Sequence, residues 1–127
     1  MLKMEIPSNK TLIPYISEIF IQYLHSHDIK DADAMQIAFE EALTNAIVHG
    51  NNNDYSKNVN ISFSIKQNML EISIEDEGSG FNYKAIKINN DDVYRKNGRG
   101  ILLISLYTDS FHFEDYGRKI VMNKYIS

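Results

Sequence analysis

Glu41-Ala42-Leu43-Thr44-Asn45-Ala46-Ile47-Val48-His49-Gly50 sets a carboxylate, an amide and an imidazole four residues apart on a strongly helical segment. Residues i and i+4 of an α-helix lie on one face, one above the other. The spacing therefore predicts a polar row of Glu41, Asn45 and His49 beside a small-residue row of Ala38, Ala42 and Ala46. Phe39, Leu43 and Ile47 continue round the apolar side. A polar row at the border of a buried stripe holds its groups at a cleft. There a carboxylate and an amide oxygen can serve as a base and as a ligand for a hard metal ion. Glu40 points about 100° away from the row and is the weaker base. Alone, Glu41 would read as an ordinary helix-surface glutamate, and His49 reads equally as a phosphate neighbour or as the cation that complements a helix end.

Two glycine motifs lie downstream. Asp76-Glu77-Gly78-Ser79-Gly80 follows a predicted strand, and Gly98-Arg99-Gly100-Ile101-Leu102-Leu103-Ile104 opens a predicted helix. Glycines allow close backbone approach and positive φ. The free N–H groups and the dipole of a helix start form an anion site. Arg95, Lys96 and Arg99 are near enough in sequence to reach phosphate oxygens, and the spacing does not select among them. There is no lysine-bearing P-loop signature.

The order ExxxN, then DxGxG, then GxG before an apolar helix resembles the motif set of the histidine-kinase-like ATPases, the GHKL or Bergerat-fold family. In the form EALTNAIVHGN, on a short chain, it looks most like the bacterial anti-sigma factor serine/threonine kinase branch. The resemblance runs from about Asp31 to the C-terminus and extends plausibly over the first thirty residues. It implies ATP and Mg²⁺ as cofactors, with Glu41 as catalytic base and Asn45 as the Mg²⁺ ligand. It also implies that Asp76 accepts from the adenine amine, with Gly78 and Gly80 shaping that turn. The triphosphate would be wrapped by Gly98, Arg99, Gly100 and Ile101, with His49, Arg95 and Lys96 close to it. The implied partners are a sigma factor, which the protein sequesters, and an anti-anti-sigma protein, which it phosphorylates on serine. A homodimer is implied too. Many family members carry Gly-Thr before the last strand, where this chain has Gly117-Arg118. Two other readings stand beside the kinase: a non-catalytic ATP-binding partner switch, and the detached ATPase half of a two-component histidine kinase.

The chain's 127 residues are expected to form one domain, residues 1–127. A formal charge of −4 and a pI near 5.5 argue against direct nucleic-acid binding. Cysteine is absent, which removes disulfides, thiolate metal sites and a cysteine nucleophile. No stretch approaches the roughly 20 apolar residues that span a bilayer, and the N-terminus lacks a signal-peptide apolar run. The expectation is no membrane association and a cytoplasmic location.

Along the chain, Leu2 to Ile6 reads as a strand stopped by Pro7. Ile13, Ile16, Phe20 and Leu24 recur at helical spacing after a cap at Ser8 or Asn9. His25-Ser26-His27-Asp28 reads as that helix's terminus, since two histidines alone do not make a metal site. Asp31 or Asp33 is expected to cap the second helix, running to about Gly50, with Asn51 to Asp54 as a polar loop. Val59, Ile61, Phe63 and Ile65 alternate with polar residues, as do Leu70, Ile72 and Ile74. The pair predicts a hairpin turning at Gln67-Asn68. Residues 81–97 are polar and read as a lid. A short helix from Ile101 to Tyr107 and a strand pair, Ser110 to Asp115 and Lys119 to Tyr125, complete the pattern. The fold class is α+β: a two-layer α/β sandwich with helices on one face of a mainly antiparallel mixed sheet.

Overall fold

The computed structural model describes residues 1–81 and 99–126, with no side-chain detail for Arg99. Strand β1 (Leu2–Pro7) leads through a 3-10 turn (Lys10–Leu12) into α1 (Ile13–Ser26). Then come α2 (Ala32–Thr44), a π-helical continuation (Asn45–Gly50), and strands β2 (Asn58–Lys66) and β3 (Met69–Glu75). Helix α3 (Arg99–Tyr107) and strands β4 (Ser110–Glu114) and β5 (Lys119–Tyr125) follow. The strands form one sheet in the order β1-β2-β3-β5-β4. Every pairing among the described residues is antiparallel, in keeping with the mainly antiparallel sheet expected from the sequence.

The alternation seen in the sequence becomes a layered face. Met4, Ile61, Ile74, Ile120 and Phe113 lie in register across all five strands, and Leu2, Phe63, Ile72, Met122 and Phe111 form the next row. Successive strand side chains point to opposite faces, so the intervening row of Lys3, Ser62, Ser73, Val121 and His112 lies on the other side. The apolar face is covered by the helices, with α2 packed on both α1 and α3. Phe20, Phe39 and Phe63 meet there, fully buried; the Phe20 and Phe39 rings stack at 4.4 Å, and Phe39 meets Phe63 edge-on at 5.5 Å. Aromatic pairs in these geometries gain beyond their buried area.

Local chemistry sets most boundaries. Asn9 caps the 3-10 turn by accepting from the Thr11 N–H at 3.0 Å, and Pro14 sits in the first turn of α1, where its missing N–H costs nothing. Gln67 and Asn68 carry φ of 51° and 64°, the mirror-image turn whose twist matches a two-residue hairpin. One expectation fails at the start of α2. Asp31 occupies the cap position, but in a left-handed conformation (φ 62°) rather than the extended one a cap residue usually takes, and its side chain makes no cap hydrogen bond.

Replacing Phe39 with alanine should remove about 3–5 kcal/mol of stability, because it empties the centre of the aromatic cluster. Urea unfolding should show a lower midpoint with an unchanged slope.

Candidate functional site

Helix α2 and the first residue of its π-helical continuation deliver Glu41 and Asn45 to the base of α3. Both are half-buried, while Ala38, Ala42, Leu43, Ala46 and Ile47 beside them are buried. A Cβ added at Gly100 would lie 3.1 Å from Glu41 Oε2 and 3.2 Å from Asn45 Nδ2. The start of α3 therefore rests directly against the carboxylate and the amide. Glu40 turns the other way, accepting from Gln36 Nε2 at 3.3 Å.

The helix does not stay α-helical to Gly50. From Asn45 onward it widens, and the Asn51 N–H bonds to the Ala46 carbonyl, five residues back, at 2.9 Å. Such π turns are uncommon and recur at functional sites. His49, near the end of this widened segment, is exposed, while Glu41 and Asn45 are half-buried.

Asp76 lies at the other end of the cleft, past the end of β3. Its N–H donates to the Arg118 carbonyl at 2.9 Å, and its Oδ1 accepts from the Gly78 N–H at 2.8 Å. Oδ2 has no hydrogen-bond partner among the described residues. Burial pushes its carboxyl above the usual range, opposed by the Gly78 N–H and by the positive charge of Arg118. The turn fits against the helix end only because side chains are missing. A Cβ at Gly50 would overlap the Asp76 carboxylate, and one at Gly78 would overlap the Gly50 carbonyl. Gly80 and Gly117 have φ of 81° and 88°, a region that L side chains rarely adopt. Ala42, Asn45, Ala46, Ile74, Asp76, Phe113, Gly117, Arg118 and Ile120 line the cleft between these parts. Its wall carries a carboxylate, a guanidinium and the Asn45 amide among apolar side chains.

Of the remaining sequence candidates, Ile101 is buried at the start of α3. Arg95, Lys96, Gly98 and the lid expectation over residues 82–97 lie outside the described residues, as does the side chain of Arg99. His25 and His27 are exposed at the end of α1, where His27 Nδ1 lies 2.9 Å from the Tyr23 carbonyl. Among the described residues no three metal-ligating side chains gather.

The residue that sequence reasoning missed is Asn51. It was read as polar loop and is fully buried. Its Nδ2 donates to Ser8 Oγ at 2.8 Å and to the Asn58 carbonyl at 3.0 Å, and its Oδ1 accepts from the Glu77 N–H at 2.8 Å. One amide thus joins the helix end, the exit of β1, the entry of β2 and the loop carrying Asp76. The signal that could have found it is its place directly after the helix-ending glycine.

Residues 6–124 match the family model of the histidine kinase-like ATPase domain. The chain is 33% identical over 102 residues to the serine-protein kinase RsbW of Oceanobacillus iheyensis, covering 73% of this chain and 65% of that protein, a little under two thirds of its length. It is 32% identical to RsbW of Staphylococcus epidermidis over a 143-residue alignment that covers 98% of this chain and 86% of the relative. With RsbW of Staphylococcus aureus (strain Newman) it shares 35% over 113 residues, covering 78% and 67%. Among solved structures, the histidine kinase domain of the Erythrobacter litoralis EL346 blue-light activated histidine kinase superposes with a TM-score of 0.55 at 17% identity. That likeness covers 93% of this chain and 59% of that one, and it bears on the fold alone. No helix among the described residues is long and apolar enough to cross a membrane.

Two substitutions separate architecture from chemistry. Asn51→Leu keeps the volume but strands the Glu77 N–H and the Asn58 carbonyl, and should cost at least about 2 kcal/mol in urea unfolding. Asp76→Asn should behave oppositely. A carboxyl whose folded pKa is raised binds protons more readily folded than unfolded, so its cost to stability grows as pH rises from its ordinary range through the folded value and is full above it. Asn removes that cost. The variant should melt no lower than the parent at pH 7, and its advantage should vanish at acid pH.

Proposed function

We propose that this chain, which belongs to the histidine kinase-like ATPase family, is a single-domain, ATP-dependent serine/threonine protein kinase that also acts as an anti-sigma factor. One observation carries the reading. Glu41 and Asn45 meet the glycine-opened start of α3, and the same cleft ends in a half-buried carboxylate, Asp76. That is an arrangement for a nucleotide: an acceptor for a base amine at one end, and N–H groups of a helix start for phosphate at the other.

In this reading Asp76 accepts from the adenine amine, and Ile74, Ile120 and Ala46 contact the ring. The N–H groups at the start of α3, from Arg99 to Ile101, hold phosphate oxygens, with Gly98 before them in the motif. Asn45 offers the amide oxygen that suits Mg²⁺, an ion that takes few protein ligands and shares its shell with phosphates and water. The bound ion would neutralise charge on the β- and γ-phosphates. Glu41, beside that ligand, takes the proton from an incoming serine hydroxyl as its oxygen attacks the γ-phosphorus and the bond to ADP breaks. His49, exposed near the end of the π turn, would lie close to the phosphates. Arg95, Lys96 and Arg99 supply the candidate cations for the phosphates.

Relatives called serine-protein kinase RsbW, at 32–35% identity, support a kinase that acts on serine in a protein. An anti-anti-sigma phosphoacceptor and a sigma-factor partner are what the motif resemblance implies. A cytoplasmic location, and a homodimer with β1 at its interface, complete the proposal.

Glu41→Gln tests the base. Phosphoryl transfer from ATP to an anti-anti-sigma partner should fall by about 10²–10⁴-fold. Calorimetric affinity for Mg·ATP should stay within about threefold, because in this reading the carboxylate acts on the incoming serine and not on the nucleotide. Equal, measurable transfer rates would remove Glu41 as base, and no transfer by the parent despite Mg·ATP binding would leave the non-catalytic partner switch.

A further inference from the structure

The turn that carries Asp76 is gripped from two sides. On one side the Gly50 carbonyl presses against Gly78 with no room for a side chain. On the other lies Arg118, half-buried in the wall of the cleft. Its Nε donates to the Gly78 carbonyl at 2.7 Å, and its Nη1 donates to the Asp115 carboxylate at 3.2 Å. Its guanidinium carbon sits 5.6 Å from the centre of the Tyr116 ring. Its own carbonyl takes the Asp76 N–H. The Phe81 N–H bonds to the Tyr116 carbonyl at 3.0 Å, so the whole run from Asp76 to Phe81 is laid along the Asp115–Arg118 turn.

Charges reach Asp76 from each element around it. Glu75 on β3 is its negative neighbour, Lys57 stands at the entry to β2, and Arg118 stands at the entry to β5. Arg118 acts more strongly than Lys57, and Asp115 anchors it in place. Arginine stays protonated at any working pH, and its planar fork holds a fixed orientation. It is therefore suited to hold the loop and set the local field together.

We propose that Arg118 is a positioning and selectivity residue of the base pocket: by clamping the Gly78 carbonyl and facing Asp76 with a permanent positive charge, it keeps Asp76 an acceptor-only carboxylate and so favours bases that present an exocyclic amine over bases that present a carbonyl. The proposal rests on the reading of the cleft as a purine site. An ionised carboxylate only accepts hydrogen bonds, whereas a protonated one also donates. Adenine offers donors at its amine. Hypoxanthine, with a carbonyl at the same position, meets an ionised Asp76 acceptor to acceptor and a protonated one without conflict. Losing the Arg118 charge would let Asp76 hold its proton to higher pH, and the pocket would lose part of its discrimination.

Arg118→Gln and Arg118→Lys separate the two roles. Glutamine keeps a donor for the Gly78 carbonyl and removes the charge, while lysine keeps the charge and loses the fork. The first measurement is a ¹³C carboxyl titration of Asp76 in the nucleotide-free protein, with the signal assigned by its loss in Asp76→Asn. The midpoint should rise by about one pH unit in Arg118→Gln and by much less in Arg118→Lys. The second is calorimetry with ADP and IDP from pH 5 to 8. The parent should prefer ADP by about tenfold or more at neutral pH. In Arg118→Gln that preference should begin to fail at higher pH than in the parent. An unmoved Asp76 midpoint, or a uniform loss of ADP affinity with the same ADP-to-IDP ratio at every pH, would leave Arg118 a loop fastener only and overturn the proposal. Binding of neither nucleotide by the parent would overturn the purine-site reading and the selectivity with it. The carboxyl titration would still decide whether Arg118 governs Asp76.

Discussion

A fully buried amide has to be fully paired, and the structure depends on how Asn51 meets that demand. An unpartnered polar group in the interior costs about as much as several good contacts supply. Asn51 answers with Ser8, Asn58 and Glu77, which belong to three different segments of the chain. The amide thereby fixes where β1 leaves the sheet, where β2 enters it and where the loop after β3 must run. Ser8 completes the knot by donating its hydroxyl to the Lys57 carbonyl at 2.7 Å. None of these partners is near the others in sequence. The helix end becomes a reference point to which the cleft's far wall is tied.

The π turn and the glycines follow from that constraint. The wider turn carries the Asn51 N–H to the Ala46 carbonyl. With the helix end so placed, the loop after β3 crosses it at backbone distance, where a side chain at Gly50 or Gly78 would collide. The carboxylate of Asp76 is consequently held in a half-buried position that burial alone disfavours, with a hydrogen bond and a guanidinium to offset the cost. Glu41, on the regular part of the same helix, and Asn45, the first residue of the widened part, hold the opposite end. The site is the span between the regular and the irregular halves of one helix.

Much of this was legible in the sequence because it rests on period. Val59, Ile61, Phe63 and Ile65 announce a half-buried strand, and Phe39, Leu43 and Ile47 announce a buried stripe; both are as read. The hairpin turn at Gln67-Asn68 was equally plain. What was illegible rests on single residues whose role is set by distant neighbours. Asn51 looks like any loop asparagine until Ser8 and Glu77 arrive beside it. The π turn from Asn45 to Gly50 leaves no mark on the apolar pattern. Asp31 had the right chemistry for a cap and the wrong φ. The motifs located Asp76 and Gly100, but not the contacts of Arg118 with Gly78 and Asp115.

The sheet order has a kinetic side. β2 and β3 are joined by a two-residue turn, so their pairing closes the smallest loop and loses the least chain entropy. β1 reaches β2 only across both α1 and α2, and β5 reaches β3 only across the long stretch that contains the Asp76 loop and α3. Pairings of that separation slow folding, because entropy is lost before the contacts form. The central hairpin is the natural first scaffold, and the cleft, whose walls are the helix end and the entry to β5, is among the last features to be assembled. A molecule that fills the cleft would then act chiefly on how fast the assembled protein comes apart, and little on how fast it forms.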